Sequence, residues 1–331
     1  MHQNNKTINM YTLDQIIEKV NHAVGKIEYN HEPHNLYDPI RYILSIGGKR
    51  IRPALMLMGY NLYKEDVDTI MMNALALETY HNFTLLHDDL MDKSDMRRGN
   101  LTVHKKWDEN TAILSGDTML IMAYKLFNKG VHNSEAFTAF IEATEGVCEG
   151  QQYDIDFEKR DDVQAEEYME MIRMKTSLLL GYALKIGAIL GGADKEDISN
   201  LYTFGEKMGL AYQLQDDWLD VYGDTKHFQK KLGADIVDNK KTMLLITAYK
   251  LADDSKKAEL DKWIKASDCN PEEKIAAVTH IYNILGVPEL IQKMIEEQFA
   301  CSLQSLDKVK VAEEKKAELR QFAMRMLGRK Y

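Results

Sequence analysis

The chain of 331 residues contains five prolines, and none of them lies between Pro53 and Pro271. A chain that alternates strands and turns would usually place prolines in its turns. The interior of a long helix excludes proline, because the ring removes a hydrogen bond and clashes with the preceding turn. The long proline-free stretch therefore predicts helices through most of the chain.

Apolar residues recur at three- and four-residue spacing along this stretch, as they do on one face of a helix. The periodicity predicts helices over Ala54 to Tyr63, Val67 to Leu90, Asp117 to Phe127, Ala165 to Leu190, Asp197 to Leu219 and Lys241 to Leu251. Pro271 followed by two glutamates is typical of a first helical turn. We find no internal repeat and no domain linker, so the sequence predicts one all-α domain over residues 1–331.

Composition and charge limit the possible functions. The net charge of −10 argues against a nucleic-acid surface and means that an anionic substrate has to be held by cations. Cys148, Cys269 and Cys301 show no CxxC spacing, so neither a zinc site nor a disulfide framework is predicted. The N-terminus has no apolar signal segment, and no uninterrupted apolar run reaches about 18 residues. We therefore expect a cytoplasmic protein without a membrane anchor.

Two stretches with closely spaced aspartates carry the strongest chemical signal. LLHDDLMDKSDMRRGN (Leu85 to Asn100) and QLQDDWLDVYGD (Gln213 to Asp224) each place a DDxxD pattern at the end of a mainly apolar helical segment. Adjacent carboxylates near a helix C-terminus are unfavourable, because they oppose the helix dipole and repel one another. Bound Mg²⁺ would offset this, since it prefers carboxylate oxygens, water and phosphates. We expect the two stretches to face each other with divalent metal ions between them.

Two simpler interpretations of the aspartates remain open at this point. A solvated, charged helix end explains one such pattern without any metal, although it explains two of them less well. The His87-Asp88 doublet also resembles the start of HD-type phosphohydrolases, which need further histidines on other helices. His81 and His104 are available, but this interpretation leaves Asp89 and the second cluster without a role.

Three basic islands accompany the aspartates in this acidic chain. Arg97-Arg98-Gly99 follows the first cluster, and arginine is suited to bidentate phosphate contacts. The other islands are Gly47–Pro53 (GGKRIRP) and the lysines at 230–231 and 240–241. The phosphate-binding pattern GxxxxGK[ST] is absent from the sequence. The islands predict direct binding of a diphosphate, although each lysine taken alone could equally be a solvated side chain.

Seven motifs occur in the order in which they stand in one enzyme family. They are GGKRIRP (Gly47–Pro53), HDDLMDKSDMRRG (His87–Gly99), LSGD (Leu114–Asp117), GQQYD (Gly150–Asp154), KT (Lys175–Thr176), QLQDDWLD (Gln213–Asp220) and KLGAD (Lys231–Asp235). With them the chain resembles the trans-isoprenyl diphosphate synthases, also called the polyprenyl synthetase family, of the short-chain type. The resemblance is dense from Leu36 to Thr242 and looser elsewhere. It implies a single large helical bundle with a central cavity, the isoprenoid synthase fold.

The resemblance also implies a role for each matched residue. Three Mg²⁺ ions, with Mn²⁺ as an alternative, would be held with the allylic diphosphate by Asp88, Asp92 and Asp216, supported by Asp89, Asp217 and Asp220. The same diphosphate would be held directly by Arg97, Lys175, Lys230 and Lys240. Isopentenyl diphosphate would bind Lys49, Arg52, His81 and Arg98, while Thr176 and Gln213 would flank the forming carbocation. One departure is that many relatives have a proline after the KKT at 240–242, whereas here Met243-Leu244 are expected to continue a helix.

The implied reaction joins an allylic diphosphate to isopentenyl diphosphate head to tail, and gives a C20 or C15 product. Metal ions and cations stabilise the leaving diphosphate, and the resulting carbocation is attacked by the double bond held beside it. Family members are usually homodimers. Two alternatives share the fold: a terpene cyclase, which usually lacks the second DDxxD, and a non-catalytic subunit of a heteromeric synthase, which usually loses a cluster.

Product length in this family depends on bulky residues that precede the first cluster on its helix. Phe83 lies about 7–8 Å and Tyr80 about 12 Å below Asp88 along a helix axis, depths that suit a C15 to C20 tail. Thr84, four residues before Asp88, is the third candidate for the pocket floor. Phe83 lies about 140° round the helix from Asp88, so its ring could instead belong to the core.

Overall fold

The computed structural model describes residues 10–27, 31–223, 232–266 and 269–328, and this part of the chain is helical almost throughout. Its α-helices are α1 (Leu13–Gly25), α2 (His34–Ser45), α3 (Ile51–Asn61), α4 (Met71–Met91), α5 (Val103–Lys106), α6 (Glu109–Lys129), α7 (Ser134–Glu158), α8 (Ala165–Ile172), α9 (Leu178–Gly191), α10 (Lys195–Tyr222), α11 (Ala234–Val237), α12 (Met243–Leu251), α13 (Asp254–Ile264), α14 (Pro271–Ile284), α15 (Val287–Asp307) and α16 (Glu313–Leu327). The predicted all-α fold is confirmed.

Three short elements interrupt this helical pattern. A 3₁₀ turn, Val67–Ile70, precedes α4, and a π-helical turn, Arg173–Ser177, joins α8 to α9. Two antiparallel strands, β1 (Met96–Arg97) and β2 (Asn100–Leu101), form a small hairpin after α4. The hairpin and the π turn were not among the predicted elements, and both carry residues of the candidate site.

The predicted helix boundaries agree with the structure to within a few residues for most segments. Pro271 occupies the first turn of α14, as expected, and the N-cap Asn270 side chain accepts hydrogen bonds from the N–H groups of Glu272 and Glu273. The expectation of a helix continuing from the KKT at 240–242 is wrong. Thr242 is an extended N-cap residue with φ −74° and ψ 166°, so α12 begins only at Met243.

Two compact units are distinguished by the packing of the chain, and each has its own core. The first contains the described residues of Met1–Thr144, Tyr182–Tyr202 and Lys310–Glu318. In this unit α3 is buried from Pro53 to its end, which explains why its sequence is apolar all round. The expected single-domain organisation stays a prediction.

Two glycines in the first unit permit close contact between helices α3 and α9. A methyl group added at Gly59 would lie 2.9 Å from the carbonyl oxygen of Leu184, and one added at Gly187 would collide with the carbonyl of Met56. The backbones therefore approach more closely than side chains would allow. This contact fixes α3, whose first three residues are the last three of the GGKRIRP motif.

The second unit contains the described residues of Glu145–Gly181, Thr203–Val309 and Leu319–Tyr331. Its apolar core is built from α8, the later part of α10 and helices α11 to α15. Tyr168, Leu214, Leu244, Val278 and Ile291 are all buried there. The second aspartate cluster lies on the part of α10 that belongs to this unit.

One helical stretch among the described residues, Ala165–Gly191, is long and apolar enough to cross a bilayer when judged by length and composition alone. A core helix of a protein that meets no membrane passes the same test, and 72% of the apolar window is buried inside the fold. The stretch is therefore explained by core packing and gives little support for a membrane anchor.

Candidate active site

The first aspartate cluster lies where α4 ends. Asp88 and Asp89 are in the last turn, and Asp92 is the C-cap residue whose N–H donates to the carbonyl of Asp88. The environments of the three differ: Asp89 is 2% exposed, whereas Asp88 is partly accessible and Asp92 is exposed. The two accessible carboxylates are those expected to bind metal, and the buried one is the residue expected to support them.

Arg97 neutralises the buried carboxylate of this cluster. Its Nε donates to Asp89 Oδ2 at 2.7 Å, its Nη2 lies 2.7 Å from Asp89 Oδ1, and Nη2 is also 3.7 Å from Asp88 Oδ2. Burial raises the pKa of Asp89, and the Arg97 guanidinium opposes this rise. Arg97 thus pairs with the cluster itself, and its expected contact with the allylic diphosphate stays a prediction.

The hairpin formed by β1 and β2 contains both arginines: Arg97 lies on β1 and Arg98 lies in the turn. Arg97 pairs with Asn100 across the strands, and the two residues between them, Arg98 and Gly99, have φ values of 51° and 75°. Positive φ at both central positions is what a tight type I′ hairpin turn requires. The turn is therefore set by RGN, a local signal that a search for helices overlooks.

The GGKRIRP segment forms a turn between α2 and α3 that meets Arg98. The Arg98 guanidinium donates to the carbonyl of Gly47, and a methyl group added at Gly48 would lie 2.6 Å from Arg98 Nη1. Glycine at position 48 thus makes room for the guanidinium. Lys49, on the same turn, is exposed.

Arg52 and His81 meet beside this turn. Arg52 Nη1 lies 3.1 Å from His81 Nε2. Burial and the nearby charge of Arg52 hold the pKa of His81 well below its usual range, so the imidazole is neutral and Nε2 accepts the hydrogen bond. The structure therefore brings together Arg52, His81 and Arg98, three of the four residues expected to bind isopentenyl diphosphate, with Lys49 next to them in the chain.

The second aspartate cluster lies in the last two turns of α10. Asp216 is exposed, whereas Asp217 and Asp220 are 5% and 8% exposed. Asp220 binds the backbone of the KLGAD motif. Its Oδ2 accepts a hydrogen bond from the N–H of Asp235 at 3.1 Å, and its carbonyl accepts one from the N–H of Gly233 at 2.6 Å. The accessible member is again the one expected to bind metal.

Asp217 is held by neutral donors. Its carboxylate accepts hydrogen bonds from the hydroxyl of Tyr168 and from Gln213 Nε2, the latter at 3.0 Å. Burial, together with the negative charge of Asp235, raises the pKa of Asp217 to about 7. Gln213 also accepts from Thr176 Oγ1 at 3.1 Å, so the two residues expected to flank the carbocation are connected to the second cluster.

Lys175 and Thr176 both lie on the π-helical turn, and π turns often occur at functional sites. A methyl group added at Gly150 would collide with the backbone of Lys175, and one added at Gly209 would lie 2.7 Å from Ser177 Cα. Two helices therefore press closely on the turn. Lys175 Nζ donates to Asp154 Oδ2 of the GQQYD motif.

The loop with Lys240 is fixed by residues that the sequence analysis did not select. Lys274, buried on α14, donates from Nζ to the carbonyl of Val237 at 3.1 Å and to Asn239 Oδ1 at 2.6 Å. Asn239 adopts a positive φ of 56°. Lys240, half-buried, follows directly. Lys230 lies outside the described residues.

The candidate floor residues on α4 are part of an aromatic cluster. Tyr80 is fully buried and donates its hydroxyl to the carbonyl of Thr144 at 2.7 Å. The ring centroid of Phe83 lies 5.5 Å from that of Tyr80 and 4.8 Å from that of His87. Thr84 is half-buried and donates to the carbonyl of His81. Phe83 therefore packs against its own helix face, and whether product length depends on it stays a prediction.

The donor chemistry of both clusters fits Mg²⁺. No three His, Cys, Asp or Glu side chains among the described residues form a ready-made metal cage. Mg²⁺ does not require one, because it usually keeps several waters and is bound by one or two carboxylates together with substrate phosphates. The accessible carboxylates of Asp88 and Asp92, one helical turn apart, supply such a pair.

Comparison with known proteins identifies the family. The sequence model of the polyprenyl synthetase family matches residues 33–284, well over half of the chain. The chain belongs to the polyprenyl synthetase family. A geranylgeranyl diphosphate synthase of Methanosarcina mazei is 35% identical over 332 residues, 97% of this chain and 99% of that protein. A geranylfarnesyl diphosphate synthase of Natronomonas pharaonis is 37% identical over 252 residues, 70% of this chain and 74% of that protein.

Solved structures agree with this family assignment. The crystal structure of a geranylgeranyl pyrophosphate synthase superimposes with a TM-score of 0.91 at 41% identity, covering 97% of this chain and all of that one. The predicted isoprenoid synthase fold is thereby confirmed. Prenyl diphosphate synthases generally use Mg²⁺ and act on an allylic diphosphate and isopentenyl diphosphate.

Several contacts of the polyprenyl synthetase site were missed from the sequence. Tyr168 and Lys274 belong to none of the seven motifs, and no spacing rule points to either. Asp154 and Asp235 end the GQQYD and KLGAD motifs, so the resemblance contained them, although no role was assigned. The partner of a buried carboxylate or backbone carbonyl is set by tertiary packing, which local sequence does not encode.

Proposed function

We propose that this chain is a trans-prenyltransferase that condenses an allylic diphosphate with isopentenyl diphosphate and releases a short-chain polyprenyl diphosphate. One observation carries the proposal: within both DDxxD patterns, the expected metal ligands Asp88, Asp92 and Asp216 are accessible, whereas the expected supporting residues are buried and held by Arg97, by Tyr168 and by backbone N–H groups. A merely solvated charged helix end has no reason to sort its carboxylates in this way.

Asp88, Asp92 and Asp216 would hold three Mg²⁺ ions together with the allylic diphosphate. Bound metal supplies Lewis-acid stabilisation of the leaving diphosphate. Three lysines of the chain orient the diphosphate: Lys175 and Lys240, which belong to the same unit as the second cluster, and Lys230. Arg97 acts at the first cluster, where it fixes the carboxylate of Asp89 and lies 3.7 Å from that of Asp88.

Isopentenyl diphosphate binds at the GGKRIRP turn. Arg52, Arg98 and Lys49 supply the positive charge, and neutral His81 keeps Arg52 in place through its Nε2. Arginine suits this role because its planar fork matches phosphate oxygens. A neutral imidazole does not repel the cations around it. Its hydrogen bond orients the Arg52 guanidinium.

Thr176 and Gln213 flank the carbocation. Their hydrogen-bonded oxygens, Thr176 Oγ1 and Gln213 Oε1, place partial negative charge without a nucleophile strong enough to trap the cation. The π turn fixes the position of Thr176 against α10. Apolar helical surroundings exclude water, which would otherwise quench the cation.

The product is C20 or C15. Tyr80 and Phe83 form the floor of the tail pocket, about two turns and about one and a half turns below Asp88 respectively, with Thr84 above them. The names of the relatives, geranylgeranyl and geranylfarnesyl synthases, show that products near this length occur among proteins similar to the chain.

The enzyme acts as a cytoplasmic homodimer. Helix α6 and the start of α7 carry five exposed apolar residues, Ile113, Leu114, Ile121, Phe137 and Ile141. Two of them, Ile121 and Phe137, line an open cavity of about 540 Å³. A contiguous apolar face of this kind marks an association surface, and a second copy covers it. Light scattering tests this: we expect a dimer, and Ile121→Lys should give a monomer.

Elongation assays test the activity. Purified protein with Mg²⁺, labelled isopentenyl diphosphate and allylic primers of increasing length should yield an extended polyprenyl diphosphate, and a chelator should stop the reaction. Cyclised hydrocarbon would identify a terpene cyclase instead. Absence of any conversion by folded protein would favour the non-catalytic subunit.

A further inference from the structure

The GGKRIRP turn contains an arginine that faces away from solvent. Arg50 is 5% exposed, in contrast to exposed Lys49 before it and half-buried Arg52 after it. Its side chain donates to Asn21 Oδ1 on α1 at 3.1 Å, to the carbonyl of Leu44 on α2 at 2.9 Å and to Glu78 on α4. One guanidinium thus ties the turn to three helices.

The backbone of Arg50 is in a conformation that arginine rarely adopts. Its φ is 49° and its ψ is 33°, in the left-handed region, at the N-cap position of α3. Such a conformation persists in a non-glycine residue only when the surrounding contacts hold it. The side-chain anchor of Arg50 and the shape of the turn therefore depend on each other.

Glu78 is the buried partner of Arg50. It is 3% exposed, its Oε1 lies 2.5 Å from Arg50 Nη1, and the same oxygen accepts from Asn82 Nδ2 at 2.9 Å. Glu78 stands three residues before His81 on α4, on adjoining positions of one helix face. The Arg50–Glu78 pair therefore lies about one helical turn along α4 from the His81–Arg52 contact.

Glu78 also balances the positive charge that surrounds His81. The cations acting on that ring are Arg52, Arg98, Arg97 and Arg50. Burial lowers the pKa of Arg98, and the negative charge of Glu78 is the strongest influence in the opposite direction. Without Glu78, the buried carboxylate left on α4 near these guanidinium groups would be Asp89, which is already paired with Arg97.

We propose that the buried Arg50–Glu78 pair positions the cations that bind isopentenyl diphosphate, by fixing the GGKRIRP turn on α4. The pair touches no substrate. It sets where Lys49 and Arg52 stand relative to His81 and Arg98, so that the diphosphate meets a preformed cradle. This inference rests on the proposed function of the turn.

Paired substitutions separate positioning from stability. Removing one partner strands a buried charge and is destabilising, whereas replacing a buried ion pair by apolar side chains of similar volume is often neutral or stabilising. Arg50→Met/Glu78→Met should therefore melt at a higher temperature than either single variant, although Asn21, Asn82 and the carbonyl of Leu44 each lose a hydrogen-bond partner. Its KM for isopentenyl diphosphate should rise at least about tenfold, the effect of misdirecting one charge-assisted phosphate contact, while kcat and the KM for the allylic substrate change much less.

A matched control is Lys316→Met, which removes another buried cation of the same unit, paired with Glu313 on α16. It should lower the melting temperature and leave the KM for isopentenyl diphosphate unchanged. Calorimetric binding of isopentenyl diphosphate gives a readout independent of turnover. If the wild type binds isopentenyl diphosphate and the double variant has the same KM and the same affinity, the positioning role is wrong and the proposed function is unaffected. Absence of binding by the wild type would overturn the proposed function as well.

Discussion

The two aspartate clusters share one sequence pattern and have different surroundings. In the first, the middle aspartate, Asp89, is gripped by the Arg97 guanidinium through both carboxylate oxygens. In the second, the middle aspartate, Asp217, is held by the hydroxyl of Tyr168 and the amide of Gln213. The first cluster is thus organised by an opposite charge and the second by neutral donors.

This difference shows what a DDxxD pattern does and does not specify. It specifies which carboxylates share a helix face and therefore which can reach a metal together. It does not specify how the buried middle carboxylate is neutralised, because that depends on elements far away in the chain. The first cluster is compensated before any metal binds, whereas the second retains a carboxyl group whose pKa is raised to about 7.

The largest expected effect comes from substituting the accessible aspartates. The loss of turnover should be similar whichever cluster is changed. Asp88→Ala and Asp216→Ala should each reduce turnover by orders of magnitude, because a metal-binding carboxylate is lost, while the fold persists. Turnover in Mg²⁺ and circular dichroism check this. Asp95→Ala, an exposed aspartate just beyond the first cluster, is the matched control and should stay active. Near-full activity of either cluster variant would remove the metal role.

A second comparison separates the two substrates. Arg98→Ala should raise the KM for isopentenyl diphosphate, and Lys175→Ala should raise the KM for the allylic diphosphate, each by roughly tenfold or more, since a hydrogen bond to a charged group contributes about 1.5–3 kcal/mol. Steady-state kinetics with both substrates varied measures the split. Equal losses for both substrates in both variants would contradict two separate diphosphate sites.

The middle aspartates should differ in how stability depends on pH. The folded-state pKa of Asp217 is raised to about 7 from an ordinary value of 3.8. The unfolded chain therefore releases this proton first as the pH rises, and the stability contributed below pH 4 is lost as the pH approaches 7. In metal-free buffer, Asp217→Asn should remove a decline on the order of 2–3 kcal/mol between pH 5 and 7.5.

Asp89→Asn is the matched variant for this measurement. Burial raises the pKa of Asp89, but Arg97 opposes the rise, so the change in pH dependence should be smaller than for Asp217→Asn. Denaturant unfolding at several pH values with a chelator present compares the two. Identical pH profiles for both variants would show that the two clusters are compensated alike.

The smallest expected effect concerns the residues that precede each cluster. Phe83 is five residues before Asp88, and Ala211 holds the corresponding place before Asp216. Phe83→Ala should leave the enzyme active and lengthen its product, with Tyr80 as the next floor, although loss of a core ring costs about 3–5 kcal/mol of stability. Chromatography against chain-length standards measures the products.

Met208→Ala, at a fully buried position eight residues before Asp216, controls for the loss of core volume. It should destabilise the protein and leave product length unchanged, because only the helix of the first cluster lies along the proposed tail pocket. If active Phe83→Ala enzyme gives an unchanged product, another residue sets the product length.

The fold was predictable because its main signals are local. Proline exclusion and three- to four-residue periodicity depend only on helix geometry, and they located α4 and α10 to within a few residues at both ends, whereas the predicted start of α6 was eight residues late. The π turn at Arg173–Ser177 could not be recognised from the sequence, since the helical pattern of apolar residues continues on both sides of it. The hairpin at Met96–Leu101 was missed because two-residue strands are too short to show alternation.

The site was predictable in composition and less so in arrangement. The order of seven motifs identified the family and its expected ligands, and the family is confirmed. Burial of Asp89, Asp217 and Asp220 could not be derived from the motif, because each depends on a distant partner such as Tyr168 or the KLGAD backbone. The turn at 240–242 was misjudged because the absence of a proline was taken as helix continuation.

The position of Asp92 at the C-cap of α4 implies a trade-off between activity and stability. Three carboxylates lie at the end of the helix that already carries partial negative charge, and Arg97 lies closer to Asp89 than to Asp88. Under the proposed function, bound metal and substrate would offset this repulsion during turnover. A laboratory selection for heat resistance without ligands would favour neutral residues at Asp88 and Asp92, and would therefore yield stable proteins that no longer catalyse the reaction.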